Sequence, residues 1–418
     1  MRILFLTQII PFPPDAGPKV KTWNVLRYLA SQGHEITLAS FVRPEEIPYV
    51  NHLRQVCAEV HTVPIRRSRP ADLLYFARSL RTGRPFLVER DDLPEMRALI
   101  RRLLAEKRYD CIQADQLTMA QFALPPEGKD AVADAHPFTI FDAHNAVWTI
   151  TERMSRTVPA PLKPFLSLET RRTRLYEGML LRRFDHTLAV TEIDRGHLLA
   201  AYDEFSRRQP PARHNPALSV VPIAVDTTQI GPVQPQAGSQ NILTLGTLHY
   251  PPNADGIRWF VQEVFENVRR KAPQASLTIV GKNPPQDFLA LAAERPEAVK
   301  VTGYVPDLRP YMEQAALLVV PVRVGSGMRV RILEALAYGM PTVTTSVGLE
   351  GIEAREGEEV LVADTPQAFS EAVLSLLGDE ALRTKLSRCG RRLAEDRYDW
   401  QVVLKKMDSV YQSAVETR

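Results

Sequence analysis

Residues 321–341 read Pro-Val-Arg-Val-Gly-Ser-Gly-Met-Arg-Val-Arg-Ile-Leu-Glu-Ala-Leu-Ala-Tyr-Gly-Met-Pro. The apolar run that leads into this stretch, 315–322, has the length of a buried strand. Gly325, Ser326 and Gly327 then make a turn that opens a helix, and Gly339 with Pro341 beyond it closes that helix. Strand, glycine turn and helix in this order form the repeating unit of a parallel α/β sheet. In such sheets ligands bind at the carboxyl ends of the strands.

The same unit recurs outward in both directions. Downstream of residue 240, strands are expected near 242–247, 276–281, 299–305, 317–322, 341–346 and 360–363, with helices between them and helices from 365 to the end. Upstream, short and nearly continuous apolar runs fall at 2–9, 34–41, 59–65, 111–116, 139–145, 186–191 and 219–225, as strands buried on both faces require. Helical periodicity fills 21–31, 93–106 and the Arg-rich 166–183. Proline, glycine and glutamine crowd the segment 206–240, which reads as a linker. The expected organisation is therefore two tandem, Rossmann-like, doubly wound parallel-sheet domains. They comprise 1–230 and 231–397, with a terminal helical segment 398–418. The cleft between two such domains is the expected site.

Composition narrows the class. At 418 residues, 44% apolar and 24% charged, the chain is an ordinary globular one with a formal net charge of +3, which does not call for nucleic acid. Residues 1–230 hold 31 Lys+Arg against 26 Asp+Glu, whereas 231–418 hold 21 against 23. Cys57, Cys111 and Cys389 match no metal-ligand spacing and read as small residues in a reducing cytoplasm. The opening Met1-Arg2-Ile3-Leu4-Phe5-Leu6 is too short for a secretory leader and reads as a first buried strand. No stretch reaches the roughly 20 apolar residues of a membrane span.

Six places carry candidate chemistry. At the glycine turn, the backbone admits a ligand closely and the N–H groups of the helix start attract phosphate, with Arg323, Arg329 and Arg331 adding positive charge. The same residues also suit a plain turn with arginines on its wet face. Glu334 stands in an otherwise apolar run and needs partners, which two vicinal ribose hydroxyls would supply. An i,i+3 pair with Arg331 is the other reading. His144 ends the strand-like Phe141-Asp142-Ala143-His144-Asn145, where it could meet a sugar hydroxyl or serve structure alone. The loop 11–19 brings Gly17 to the start of a helix, as a ligand-closing loop or a proline-stiffened surface. The stretch 246–256 holds His249 and Asn253, with Asn253 a candidate helix cap, and Lys282 is a further strand-end cation. No Gly-x-Gly-x-x-Gly follows the first strand, and no P-loop, paired-histidine metal motif or Gly-x-Ser-x-Gly elbow occurs.

With these residues in view, Gly325–Thr345 followed by Gly348-Leu-Glu-Gly resembles the donor motif of the family 4, or group 1, glycosyltransferases. Val299-Lys-Val-Thr-Gly-Tyr-Val-Pro-Asp-Leu-Arg-Pro-Tyr311, Gly33-His34-Glu35-Ile36, Asp142-Ala-His-Asn145 and Tyr398-Asp399-Trp400 resemble other parts of it. The resemblance implies the GT-B fold and retaining transfer of a sugar from a nucleoside-diphosphate donor without a bound metal or separate cofactor. By matching position it implies Glu334 on the donor ribose, and Gly325, Ser326, Gly327, Arg329 and Arg331 near the diphosphate. His144 would then lie at the donor sugar, Gly17 near the phosphates, and Tyr304 and Val305 near the base. Its acceptors would be glycans or lipid-linked glycans of cell-surface polysaccharide or glycolipid synthesis, with a helix closing back on the first domain.

Two positions depart from the pattern. Ser326 stands where many members have a first glutamate. The loop at Gly246 reads His249-Tyr-Pro-Pro-Asn in place of an Arg…Lys-Gly pair, leaving phosphate charge to Arg329, Arg331 or Lys282. The departures keep two alternatives open: a sugar-nucleotide epimerase or hydrolase on the same fold, and a non-catalytic binder of nucleotide or glycan. Residues 66–108, with 12 Lys+Arg against 6 Asp+Glu, and the arginines of 166–183 suit an anionic membrane surface or a solvated helix face. The membrane reading puts a cytoplasmic protein at the inner face of the plasma membrane.

Overall fold

The computed structural model describes residues 1–124, 136–210, 215–325 and 327–416. The chain divides into two units, Met1–Ile223 with Val403–Arg418, and Ala224–Val402.

The first unit is a seven-stranded sheet of β1 (Arg2–Thr7), β2 (Glu35–Val42), β3 (Glu59–Pro64), β4 (Cys111–Asp115), β5 (Phe138–Ala143), β6 (His186–Ala189) and β7 (Leu218–Val220). The spatial order is β3-β2-β1-β4-β5-β6-β7, with every pair parallel. The apolar runs become central strands because helices cover both faces, leaving Ile3, Leu4, Phe5 and Leu6 without solvent contact. Chain order reverses between β1 and β4. The register there sets Thr7 beside Asp115 and Asp115 beside Asp142, so three polar side chains share the carboxyl edge at the switch point.

The second unit is a six-stranded parallel sheet of β8 (Asn241–Leu245), β9 (Ser276–Val280), β10 (Val299–Gly303), β11 (Leu317–Val320), β12 (Thr342–Thr344) and β13 (Leu361–Val362). Its order is β10-β9-β8-β11-β12-β13, with the switch between β8 and β11. The glycine turn of 325–327 therefore follows the strand at the switch point, as Gly246 does on the other side. Phe260, Phe265 and Phe369 fill the core beneath.

Elements near the divide differ from the sequence reading. Within the stretch 206–240 the strand expected at 219–225 is β7, which ends earlier, at Val220, and extends the first sheet beside β6, while 211–214 fall outside the described residues. The units part after Ile223 rather than at 230, because Val225 already belongs to the second. Its N–H donates to the Tyr398 carbonyl, and its own carbonyl accepts from Trp400 N–H, each at 2.9 Å. Asp399 binds the backbone and hydroxyl of Thr227. Tyr398, Asp399 and Trp400 are thus held by the second unit, and the chain rejoins the first unit from Val403.

That return is stabilised by buried contacts of Met407, Val410, Tyr411 and Ala414. The Tyr411 hydroxyl donates to Gln113 on β4, and Tyr28 donates to Asp408 at 2.8 Å. Replacing a large buried aromatic with alanine costs about 3–5 kcal/mol. Tyr411→Ala should lower the stability of the first unit by about that amount in urea unfolding, and Tyr411→Phe by much less.

Candidate functional site

In the second unit the site grows from the helix Val330–Tyr338 and the carboxyl ends of β8, β9 and β10. Gly325 takes φ 144° and Gly327 φ 79°, backbone that favours glycine. A Cβ on Gly325 would stand 2.7 Å from Arg329 Nη2. The helix begins at Val330, with Arg329 in the capping position, so the glycine turn precedes the first helical turn by a few residues instead of forming it. Arg329 donates to the Gly327 carbonyl at 2.8 Å and ties the turn to the helix start. Ser326 lies outside the described residues.

Arg331 reaches across the switch point. It donates to the Leu245 carbonyl at 2.5 Å and to Asn253 Oδ1 at 2.9 Å. Burial and the neighbouring Arg329 pull its guanidinium down to about 10, against the pull of Glu334 and Tyr250. Asn253 is not the cap of its helix. It lies within Pro251–Trp259, whose capping residue is Tyr250, and its Nδ2 donates to Thr247 O at 3.1 Å while its oxygen holds Arg331. Arg323 also departs from expectation: it pairs with Asp255 at 3.1 Å and lies over Trp259, so its charge is spent on the surface.

Glu334 sits one turn into the same helix. Burial pushes its carboxyl up to about 7, with Arg331 working in the opposite direction. No described residue donates a hydrogen bond to it, and Arg331 spends its own donors on Leu245 and Asn253 rather than in an ion pair. Lys282 follows β9 with its ammonium 4.5 Å from the Tyr304 ring centroid, and Tyr304 follows β10 and is exposed. Val305 stands beside it, half-buried. His249 takes part in a 3.4 Å contact with Asn283 in the loop next to Lys282. The structure thus joins Arg331 to Asn253, sets Arg329 and Glu334 within electrostatic reach of Arg331, and places Lys282 over Tyr304.

The first unit has its own polar cluster, which the sequence reading only partly anticipated. His144 Nε2 meets Asp115 Oδ1 at 2.7 Å, and Asp115 Oδ2 accepts from Thr7 at 2.8 Å and Thr22 at 2.9 Å. Burial alone would raise the Asp115 carboxyl, but His144, Lys21 and the Thr7 hydroxyl together hold it below its ordinary value. Lys21 pairs with Asp142, which also accepts from Gln113 at 3.3 Å. The ligand atoms of Asp115, Asp142 and His144 lie within 4.8 Å of one another, a spacing that could hold a cation, and Lys21 already brings an ammonium to Asp142. Lys21 and Asp115 were not singled out from sequence. The available signals were a lysine amid Val20, Thr22 and Trp23, and a carboxylate ending an apolar strand. Gly17 begins the helix Gly17–Ser31 that carries Lys21 and Thr22.

Behind His144, the helix Val147–Thr157 starts on a buried carboxyl. Glu177 accepts from the N–H groups of Val147 at 2.8 Å and Trp148 at 3.0 Å. Burial raises Glu177 to about 8, the two N–H bonds lower it, and Asp194 raises it. Between its ordinary 4.5 and about 8, the folded chain holds a proton that the unfolded chain has lost. The stability due to this group is therefore complete at acid pH and is lost as pH rises through that window. In urea unfolding at several pH values, Glu177→Gln should flatten this decline.

Residues 239–379 match the family described as "Glycosyl transferases group 1". An uncharacterized 44.6 kDa protein of the cps region of Klebsiella pneumoniae is 27% identical over 141 residues, 32% of this chain and 36% of that protein. The chain thus aligns with well under two thirds of that curated relative. Among solved structures, sucrose-phosphate synthase from Thermosynechococcus elongatus superposes with a TM-score of 0.68 at 16% identity over the full length of both chains. Alr3699/HepE of Anabaena, solved in complex with UDP, gives a TM-score of 0.68 at 14% identity, covering 99% of this chain and 100% of that one.

Proposed function

We propose that this chain, a group 1 glycosyltransferase of GT-B fold by its matched segment and its two parallel α/β sheets, transfers a sugar from a nucleoside-diphosphate donor with retention of configuration. The observation that carries the reading is Glu334: a carboxyl raised to about 7, to which no described residue donates a hydrogen bond, one turn from two arginines at a strand switch point. Two vicinal hydroxyls of a ribose would donate to its oxygens and favour the ionised form. UDP as the nucleotide is supported by the complex of the Anabaena relative. In this proposal Tyr304 and Val305 lie by the base. Arg329, Arg331, Lys282 and the 325–327 turn meet the diphosphate, with His249 and Asn253 beside them.

The chemistry follows from the charges. As the bond from C1 to the diphosphate oxygen breaks, negative charge grows on the leaving group, and preorganised guanidinium groups stabilise it. The acceptor hydroxyl attacks C1 from the same face, and its proton passes to the departing phosphate oxygen. Arg331 suits this role because its partners, a carbonyl and an amide oxygen, are neutral and leave its charge uncancelled. The acceptor in this reading is a glycan or lipid-linked glycan of cell-surface polysaccharide synthesis. The cps-region relative supports that, and such an acceptor would be met from the cytoplasm at the inner face of the plasma membrane. Among the described residues, no helix is long and apolar enough to cross a membrane.

Nucleotide release from a panel of sugar nucleotides, with and without glycan acceptors, tests the class. Release that needs an acceptor is expected, and release at the same rate without one would mean hydrolysis. Glu334→Ala should raise the donor KM by more than tenfold, and Arg329→Ala with Arg331→Ala should lower kcat by at least about a hundredfold. Full activity in both folded variants would overturn the site. Because donor binding favours ionised Glu334, donor affinity should increase as pH rises through about 7, with a proton released from that group on binding at lower pH. Glu334→Gln should remove this pH dependence.

A further inference from the structure

The helix Arg69–Thr82 is turned inside out. Its one fully buried residue is Ser79, whose hydroxyl donates to the Arg84 carbonyl at 2.6 Å. Its inward charge is Arg78, which pairs with the buried carboxylates of Glu89 at 2.8 Å and Asp92 at 3.3 Å. Its three leucines point the other way. Leu73 and Leu74 keep 70% and 69% of their surface exposed, and Leu80 keeps 48%. Leu73, Ala77 and Leu80 follow helical spacing and form one outward stripe, with Leu74 beside it. The ends of the helix are well defined by Ser68, which caps the Ala71 N–H, and by Gly83 in the left-handed conformation. The stripe is therefore a property of an ordered helix.

The stripe continues onto a second element. Phe76 packs edge-on against Phe165 at 5.1 Å, and Phe165, Leu162 and Leu168 at the start of Lys163–Arg183 are themselves exposed. Exposed cations frame the combined surface: Arg66, Arg69, Arg81, Lys163 and Arg171. The carboxylates of these two stretches face away, since Glu169 is buried against Arg172 and the Phe86 N–H, and Asp72 is half-buried. Exposed apolar side chains accompanied by exposed cations on the same elements, with the acids withdrawn, complement the headgroup boundary of an anionic bilayer. A protein partner would need acidic side chains around a matching apolar pocket, and a second copy of this face would set cation against cation.

We propose that this face, formed by the helix Arg69–Thr82 and the first turns of Lys163–Arg183, is a monotopic docking surface for anionic lipid. Leu73, Leu74, Leu80 and Phe165 enter the headgroup boundary, and the surrounding arginines and Lys163 bind lipid phosphate. This rests on the membrane-facing reading above and names the surface responsible, independently of the sugar donor. It assigns the exposed face a partner and leaves Arg78 to structure.

The test is co-sedimentation of the full chain with phosphatidylcholine vesicles, with and without phosphatidylglycerol, at low and high salt. Partition onto the anionic vesicles alone, weakened by salt, is expected. The triple variant Leu73→Glu, Leu74→Glu, Leu80→Glu should lose that partition by more than tenfold. Arg69→Gln, Arg81→Gln and Lys163→Gln should each weaken it by about fivefold. Nucleotide release with a soluble donor and acceptor should be unchanged in all of these variants, which separates failure of the surface from failure of the proposed activity. Absence of partition onto anionic vesicles, or equal partition of the triple variant, would overturn the proposal. So would a dimer in sedimentation velocity that the triple variant abolishes, since the face would then belong to a second copy.

Discussion

The second unit is organised around one interaction, the guanidinium of Arg331 bound to the Leu245 carbonyl and the Asn253 side chain. It joins the helix after β11 to the end of β8, the two strands at which chain order reverses. Room for it exists because residue 246 is glycine: a Cβ there would stand 2.8 Å from Arg331 Nη1. With that helix anchored, Arg329 at its start returns to the Gly327 carbonyl. Glu334 is held on the same rigid element, one turn further on. Substrate-facing groups on anchored helices lose little freedom on binding, which is what preorganised electrostatic stabilisation requires.

The partners of Arg331 also explain its electrostatics. A buried cation is costly unless its hydrogen bonds are made, and here they are made to neutral oxygens. The group is satisfied geometrically but its charge is not cancelled, and its proton affinity falls accordingly. Arg323, only eight residues earlier, shows the contrast: bound to Asp255 at the surface, it offers little field to a ligand. Proximity in sequence put these two arginines in one group, whereas partner chemistry separates them.

What could be read from residues and what could not follows the same line. Alternating apolar runs and helical spacing are local, so the two sheets, the glycine turn and the isolated Glu334 were legible. Partnerships over long separations were not. Arg331 finds Asn253 across 78 residues, and Lys21 finds Asp142 across 121. Asn253 looked like a helix cap because a cap is the local use of an asparagine, and the distant arginine changed its role. Likewise the charge of 66–108 was countable, but which face of the helix carried it was not. Arg78 pairs with Glu89 and Asp92, which are buried, while Leu73, Leu74 and Leu80 of the same helix are exposed.

The two strand-end clusters are chemically opposite. In the first unit, acids and bases meet one another: Lys21 is on Asp142 and His144 on Asp115, with hydroxyls completing the carboxylates. Such a cluster is close to neutral and stiff, and suits orienting a histidine more than attracting a charged ligand. In the second unit, Arg331 rests on neutral acceptors beside a carboxyl whose pKa is raised to about 7. That cluster carries unbalanced positive charge, the property that a diphosphate selects. The small net charge of the chain is thus an average that hides where charge is free to act. The first unit spends its excess of cations on buried carboxylates and an outer face, while the second, formally negative, holds Arg331 on neutral oxygens at the switch point of its sheet.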